Sequence, residues 1–182
     1  MRIPFRKWIW PGVVAVCALL AAAFGEPART ALRWQRDLLL AEPWRLLTGH
    51  FVHLDWPHLL LNLAGLGVLW ALVGDTLSAR RWTLVALAGA AAISGGLLLA
   101  PVGWYVGLSG VLHALLAAGA VAMWSTWRIG AAGLLAFLLV KGVLEYAGFS
   151  TGDGVVAEAH WLGAIGGFCA GIICVLTRRR TR

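Results

Sequence analysis

The sequence predicts an all-α membrane protein in which six transmembrane helices form one bundle. Of its 182 residues, 60% are hydrophobic and only 13% are charged, and the mean hydropathy is +0.81. Soluble domains contain about 45–50% apolar residues, so this composition is that of a membrane protein. The 23 glycines permit close helix contact, and the 11 tryptophans suit the membrane interface. We expect residues 1–182 to form a single domain.

A spanning helix needs about 20 mostly apolar residues, and six stretches come close to this length. They lie at about 8–25, 57–74, 82–100, 105–124, 129–148 and 157–176. Because Ala21-Ala22-Ala23 follows an apolar stretch, cleavage of the first span as a signal peptide is an alternative. The long first loop, about 26–56, mixes tryptophans and leucines with charges, which predicts short amphipathic helices in the interface. An ordinary solvated loop is the alternative there.

The basic residues predict that both termini are cytoplasmic, because the positive-inside rule places such residues on that side. Under this topology the outer side holds only Arg29, Arg33, Arg36 and Arg45. The cytoplasmic segments hold most of the others, namely Arg2, Arg6, Lys7, Arg80, Arg81, Arg128, Arg178, Arg179, Arg180 and Arg182. The net charge of +7 therefore reflects membrane topology, and nucleic acid is not an expected partner.

The three cysteines, Cys17, Cys169 and Cys174, all fall in apolar runs. An odd number of cysteines at membrane depth does not form a disulfide framework, so we interpret them as small hydrophobic packing residues. We predict neither a metal site nor a cofactor.

Four polar residues are predicted to meet in one layer near the outer surface. Spans two, four and six all run inward from the outer side, and their first turns carry His58 and Asn62, then Ser109, then His160. Polar side chains at this depth are costly unless they are paired or functional. We therefore expect them to face the bundle interior, where water reaches them from outside.

These residue types suit acyl-transfer chemistry. Serine becomes an effective nucleophile when a base accepts its proton, and His160 is the base that we predict for Ser109. The backbone N–H groups at the helix start near Ser109 would donate to an oxyanion. His58 and Asn62, which share one helical face, would add donors from the side.

No acid is obviously placed to orient His160. Asp153 and Glu158 are nearby in sequence but belong to the loop, so a Ser-His dyad is favoured over a triad. Taken singly, each residue also has a simpler explanation: a helix serine bonded back to a carbonyl, a packing histidine, or an interhelical hydrogen-bond pair of His58 and Asn62. These explanations do not account for the common depth.

Small residues predict which helices approach closely. Gly163, Gly167 and Gly171 recur every four residues in span six, which is typical of a tight packing stripe. Gly110 and Ala114 share one face of span four, so span four is the expected partner. This approach would bring the histidine to the serine. A packing or dimerisation stripe without a catalytic purpose is the alternative.

Several short motifs, taken in order, resemble the rhomboid intramembrane serine proteases over most of the chain. They are Trp44-Arg45, His53, His58-x-x-x-Asn62, Gly107-Leu108-Ser109-Gly110 and Ala159-His160. The resemblance implies a six-helix rhomboid fold with Ser109 as the nucleophile and His160 as the base. It also implies an oxyanion hole formed by His58, Asn62 and the Ser109 backbone N–H. Span five and the loop 148–156 would gate the access of transmembrane substrates.

The chain is more similar to the rhombosortase branch of that family. The stretch Gly49-His50-Phe51-Val52-His53-Leu54-Asp55-Trp56-Pro57-His58, the run Ser109-Gly110-Val111-Leu112-His113 and the short length carry this similarity. It implies cleavage of bacterial secreted or surface proteins whose C-terminal tail has a Gly-Gly motif, a hydrophobic helix and a basic end. It also implies a Gram-negative inner membrane, with cleavage on the periplasmic side.

Two positions depart from the family pattern. Many rhomboids have a tyrosine four residues after the serine, stacked on the histidine, where this chain has His113. We hypothesise that His113 packs against or hydrogen-bonds His160 and biases its tautomer; a satisfied core histidine is the alternative. Many rhomboids also carry a glutamate just after span two, where this chain has Ser78, so Arg45 needs another partner, and Glu42 is the candidate.

One ion pair is predicted within the membrane. Lys141 and Glu145 lie four residues apart in span five, so their side chains can meet on one helical face. A structural role is favoured over a role in gating.

Two other classes of function are open to this sequence. An inactive rhomboid-like protein that binds membrane clients would share the fold, although the presence of both Ser109 and His160 argues against it. A haem or metal carrier would use some of the five histidines, which are His50, His53, His58, His113 and His160. No His-Glu-x-x-His motif is present, and only His50 and His53 have metal-like spacing.

Overall fold

Most of the chain is helical in the computed structural model, which describes residues 5–149 and 156–179. The helices are α1 (Ile9–Ala23), α2 (Gly25–Leu32), α3 (Arg45–Thr48), α4 (Trp56–Val73), α5 (Ala79–Gly96), α6 (Ser109–Met123), α7 (Arg128–Tyr146) and α8 (Ala157–Arg179). Two short strands, β1 (Trp34–Gln35) and β2 (Trp104–Tyr105), pair in antiparallel orientation. Single 3-10 turns lie at Phe5–Trp8, Arg36–Leu38 and Leu97–Leu99.

Each of the six predicted spans overlaps one helix, but not all of these helices are long enough to cross a membrane alone. By length and composition, α4, α5, α7 and α8 can each do so. Helix α1 qualifies only together with α2, from which it is bent by 114°, and α6 has 15 residues. The described part of the chain is therefore a helical membrane protein with four or five candidate spans. Six crossings and cytoplasmic termini stay predictions.

Span four is predicted to start at about residue 105, but this segment pairs with the first loop instead of beginning the helix. Trp34 pairs with Tyr105, and Gln35 pairs with Trp104. The backbone is extended there, so the helix begins later, at Ser109.

Contacts at both ends of the bundle show that the helices alternate in direction. At one end, Lys7 before α1 forms an ion pair with Asp75 after α4. Residues 24–55 lie at the other end, which we call the first-loop end. Helices α4, α6 and α8 begin there, and α5 and α7 finish there. Arg36 in this loop donates to the carbonyl oxygen of Leu97 (2.8 Å), at the finish of α5. The alternation that the sequence analysis assumed is present.

Arg45 holds the first loop together. Its guanidinium pairs with the Glu42 carboxylate at 2.5 Å and donates to the carbonyl oxygens of Thr30 (2.8 Å) and Arg33 (2.9 Å). Arg45 is 4% exposed, so this buried charge has both an opposite charge and hydrogen-bond acceptors. The prediction that Glu42 serves as the partner of Arg45 is confirmed.

The closest helix contact is between α6 and α8. A methyl group built on Gly163 would overlap the carbonyl of Gly110, and one built on Gly167 would overlap the Ala114 backbone. Only glycine lets two helix backbones approach this closely. The predicted stripe, with Gly110 and Ala114 as its partners, is confirmed.

Candidate active site

Ser109 is the first residue of α6, and the loop before it is fixed by hydrogen bonds. Gly107 has a φ of 124°, a conformation that favours glycine. Its N–H donates to the Gly49 carbonyl (3.0 Å), and its carbonyl accepts from the buried Tyr105 hydroxyl (2.7 Å). Burial raises the pKa of Tyr105 above its usual range, so the phenol stays a neutral donor. The first loop and β2 thus determine where the serine lies.

His160 lies in the first turn of α8 and contacts the serine directly. Its Nε2 is 2.8 Å from Ser109 Oγ, and the histidine is 6% exposed. The tight packing of α8 on α6 brings the two residues together, since a methyl group built on Gly110 would lie 2.9 Å from the Ala159 carbonyl oxygen. The hydroxyl of Ser109 can therefore donate to an unprotonated Nε2.

A carboxylate that the sequence analysis did not assign to the site contacts the other edge of the same imidazole. Glu145 lies in the last turn of α7, and its Oε2 is 2.7 Å from His160 Nδ1. Both side chains are buried. The other carboxylate oxygen forms an ion pair with Lys141, one turn earlier. The predicted pairing of Lys141 with Glu145 is confirmed, but Glu145 also belongs to the site.

The sequence does contain a signal for Glu145. Helix α7 finishes at the end where α6 and α8 begin, so its last turn lies at the depth of Ser109 and His160. A glutamate at that depth in a membrane helix is expected to face the bundle interior. The i,i+4 pairing with Lys141 obscures this signal, because it supplies the charge with a partner on its own helix.

His113 stacks on the face of His160. The ring centroids are 4.2 Å apart, and the ring planes differ by 12°. Nδ1 of His113 is 2.7 Å from the Ser109 carbonyl oxygen, so this nitrogen carries a proton and donates it. Its buried Nε2 has no hydrogen-bond partner among the described residues. Of the two contacts that we hypothesised, the structure contains the packing one.

His58 and Asn62 lie on the first turns of α4, beside the loop that carries the serine. Asp55 caps this helix by accepting from the His58 backbone N–H (2.7 Å). A methyl group built on Gly107 would lie 3.2 Å from His58 Nε2 and 3.8 Å from Ser109 Oγ, so both atoms border the same small volume. Asn62 is buried and donates to the His58 carbonyl (2.9 Å). This hydrogen bond uses one of the two amide hydrogens of Asn62.

The two remaining histidines, His50 and His53, are buried in the first loop and contact residues of the site. His50 Nε2 is 3.3 Å from Ser94 Oγ, and its ring meets Tyr105 edge-on at 5.6 Å. His53 meets His58 edge-on at 5.1 Å. Burial lowers the pKa of both His50 and His53 to about 4, so both are neutral at neutral pH.

One group of potential metal ligands occurs in the part of the chain that the structure describes. It consists of His113, Glu145 and His160, whose ligand atoms lie within 4.8 Å of one another. The two rings are nearly parallel, so their in-plane lone pairs run side by side instead of converging on an ion. We interpret the group as a hydrogen-bonded and stacked network, and a haem or metal carrier is not favoured.

Helix α7 forms one wall of the site and exposes most of its large side chains, namely Phe137, Leu139, Val140, Val143 and Leu144. It contacts α8 where Gly142 lies against the ring of Trp161, which a methyl group on that glycine would meet at 2.7 Å. The Glu145 carboxylate also contacts the imidazole on α8, and α7 packs against α6 as well. Residues 150–155 of the predicted gating loop lie outside the described residues.

The fold and site together define a class of protein: a helical membrane protein in which a half-buried serine is hydrogen-bonded to a buried histidine at one end of the bundle. The family model of the Rhomboid domain matches residues 40–177. The chain therefore belongs to the rhomboid family, and membership implies an intramembrane serine protease that acts on transmembrane substrates. A comparison with curated proteins finds no match.

Proposed function

We propose that the protein is an intramembrane serine endopeptidase in which Ser109 is the nucleophile and His160 the general base. The observation that supports this most strongly is the 2.8 Å distance between Ser109 Oγ and His160 Nε2. A serine hydroxyl is activated by an adjacent base, and an imidazole can later return the proton to the leaving amine. Membership of the rhomboid family supports the same reaction.

The reaction proceeds through an acyl-enzyme. Ser109 Oγ attacks the scissile carbonyl carbon while its proton passes to His160 Nε2. When the tetrahedral intermediate collapses, His160 gives this proton to the amine nitrogen and the peptide C–N bond breaks. Water then attacks the ester with His160 again as the base. The ester bond breaks, the new carboxylic acid leaves, and the proton returns to Ser109.

The oxyanion of the tetrahedral intermediate lies between α6 and α4. The Ser109 N–H stands at a helix start, where N–H groups lack partners within the helix and the dipole favours negative charge. His58 Nε2 borders this volume. Asn62, one turn further along α4, has a second amide hydrogen that would serve as another donor. Donors arranged before the reaction cost no reorganisation when the charge develops.

We also propose that the substrates are secreted or surface proteins with a C-terminal sorting tail. The similarity of residues 49–58 and 109–113 to the rhombosortase branch supports a tail with a Gly-Gly motif, a hydrophobic helix and a basic end. Glycine disfavours helix, so a Gly-Gly pair at the edge of the bilayer would unwind and present its peptide bonds to the serine. The basic end suits the cytoplasmic side. The protein would lie in a bacterial inner membrane, with the first-loop end facing the periplasm.

The test compares purified wild type with Ser109→Ala and His160→Ala on a model transmembrane substrate that carries such a tail. We expect cleavage and labelling by a fluorophosphonate probe in the wild type only. Equal cleavage by wild type and Ser109→Ala would eliminate the serine mechanism. Retention of the substrate without cleavage or labelling by the wild type would instead support the client-binding alternative.

A second substrate tests the proposed rhombosortase specificity separately from the serine mechanism. We expect replacement of Gly-Gly by Leu-Leu in the tail to abolish cleavage at that position. Unchanged cleavage would contradict the rhombosortase specificity but leave the serine protease proposal intact.

A further inference from the structure

We infer that Glu145 is a positioning residue for His160, so that the site operates as a Ser-His-Glu arrangement supplied by α6, α8 and α7. This inference rests on the proposed function, because it concerns how the proposed base is held. It replaces the Ser-His dyad that the sequence alone favoured. The observation that carries it is the 2.7 Å contact between His160 Nδ1 and Glu145 Oε2.

The two contacts of His160 together determine its tautomer. A neutral imidazole has one N–H and one bare nitrogen, while an ionised carboxylate can only accept hydrogen bonds. Nδ1 must therefore carry the proton that is donated to Glu145. Nε2 is then bare and can take the proton of Ser109, 2.8 Å away. The opposite tautomer would present an N–H to the hydroxyl and could not act as the base.

The surroundings of Glu145 keep its carboxylate charged and oriented towards His160. Its side chain is only 7% exposed, and a buried carboxylate without partners would be very costly. One oxygen pairs with Lys141, and the other accepts from His160. Lys141 is one-third exposed, so its ammonium reaches the edge of the bundle while neutralising the glutamate.

The other neighbours of His160 do not perform this role. His113 stacks on the ring face and so restrains the ring plane, but its Nδ1 bonds to the Ser109 carbonyl instead of to His160. Glu158, two residues before His160 on α8, is exposed. Glu145 is thus the acid within the described residues that is hydrogen-bonded to His160.

The same contact supplies electrostatic help during the reaction. When His160 takes the serine proton it becomes an imidazolium, and the Glu145 carboxylate then lies against a positive charge in a largely buried site. Attraction between opposite charges is stronger where water is excluded. In soluble Ser-His-Asp proteases, loss of the ionised orienting group lowers kcat by about 10⁴-fold while the geometry stays intact.

The decisive variant is Glu145→Gln, with Glu158→Gln as the matched control. Both remove one negative charge and keep the side-chain shape, but only Glu145 contacts the imidazole. We expect Glu145→Gln to lower kcat by about 10²–10⁴-fold and to leave KM within about twofold. Glu158→Gln should retain kcat within about twofold of the wild type. A thermal unfolding curve verifies that each variant is folded.

Nitrogen-15 NMR of wild-type protein with labelled histidine reports which ring nitrogen of His160 carries the proton, and it does not require a Glu145 variant. We expect a protonated Nδ1 and a bare Nε2 for His160, assigned by loss of the signal in His160→Ala. A proton on Nε2 in the wild type overturns the inference even if Glu145→Gln fails to fold.

The kinetic outcomes separate the two proposals. If Ser109→Ala is inactive while Glu145→Gln keeps the wild-type kcat, the positioning role is wrong and the serine protease stands. A change in KM alone would likewise overturn it, because that pattern indicates substrate binding by α7. If Ser109→Ala is as active as wild type, the proposed function itself fails.

Discussion

Gly167 on α8 lies directly against the backbone of Ala114 on α6, with no room for a side chain between them. One turn earlier, Gly163 lies against the Gly110 carbonyl in the same way. The proposed base is one turn before Gly163, and the proposed nucleophile adjoins Gly110. The backbone contact between the two helices therefore sets the distance between serine and histidine, so helix packing is part of the reactive geometry.

We predict that Gly167→Ala destabilises the protein and reduces proteolysis. The added methyl group would overlap the Ala114 backbone, and forced overpacking of this kind costs about 1–3 kcal/mol. Gly67→Ala on α4 is the matched control, because nothing lies within 4 Å of the added methyl group there. Thermal unfolding in detergent measures both variants. Equal unfolding midpoints for the two variants would contradict this account of the stripe.

The helix packing could be predicted from sequence because it depends on a local period. Glycines at every fourth residue and long apolar runs carry their meaning within one helix. The pairing of Trp34 with Tyr105 has no such signal, because it joins two short segments far apart in sequence. For the same reason the extended conformation of Trp104 and Tyr105, just before α6, has no signal in the sequence.

Tyr105 should be required for activity through its hydroxyl. In Tyr105→Phe the Gly107 carbonyl loses its buried donor, and such an unsatisfied group costs about 1–3 kcal/mol. The loop that presents the serine would loosen, so kcat is expected to fall together with the stability. Tyr146→Phe, at an exposed position, makes the same chemical change and should have no effect. Wild-type kcat and stability in Tyr105→Phe would show that this bond does not hold the loop.

His113 should act on His160 through ring stacking. Ring stacking is worth about 0.5–1.5 kcal/mol. Because His113→Phe keeps a flat ring at the stacking distance, we expect its kcat to stay within about threefold of wild type. His113→Ala removes the ring and should cost considerably more. Equal losses in the two variants would point instead to the hydrogen bond from His113 to the Ser109 carbonyl.

Removal of a side-chain donor to the oxyanion should lower kcat with little change in KM. We expect His58→Ala and Asn62→Ala each to reduce kcat by about 10²–10³-fold, the range typical of a lost oxyanion donor. Leu61→Ala on the same helix is the control, because the Leu61 side chain is 70% exposed. If either variant keeps the wild-type kcat, that residue is not an oxyanion donor.

The site residues could be predicted from sequence to different extents. Ser109 and His160 each lie in the first turn of a helix that begins at the first-loop end, so helix direction alone brings them to a common depth. Glu145 lies in the last turn of a helix that finishes at the same end, so its place follows from the alternation only when helix ends are considered along with helix starts. The contact between Glu145 and His160 also needs the tilt and rotation of α7, which depend on tertiary packing against Trp161.

Acid should destabilise the protein through the two buried loop histidines. Burial lowers the pKa of His50 from its ordinary value of 6.5 to about 4, and that of His53 similarly. Above pH 6.5 neither the folded nor the unfolded state binds the proton, so stability is at its full value. As the pH falls from 6.5 towards 4, the unfolded state binds protons that the folded state excludes. Each histidine can then lower the stability by up to about 1.4 kcal/mol per pH unit.

The unfolding midpoint in detergent, measured between pH 7.5 and pH 4, tests this prediction. We expect the midpoint to fall steadily below about pH 6.5 in the wild type and to fall less steeply in His50→Gln, which has no titrating group at that position. Because the slopes are compared, any constant packing cost of the glutamine cancels. An identical slope in the two proteins would mean that His50 does not titrate differently in the folded and unfolded states.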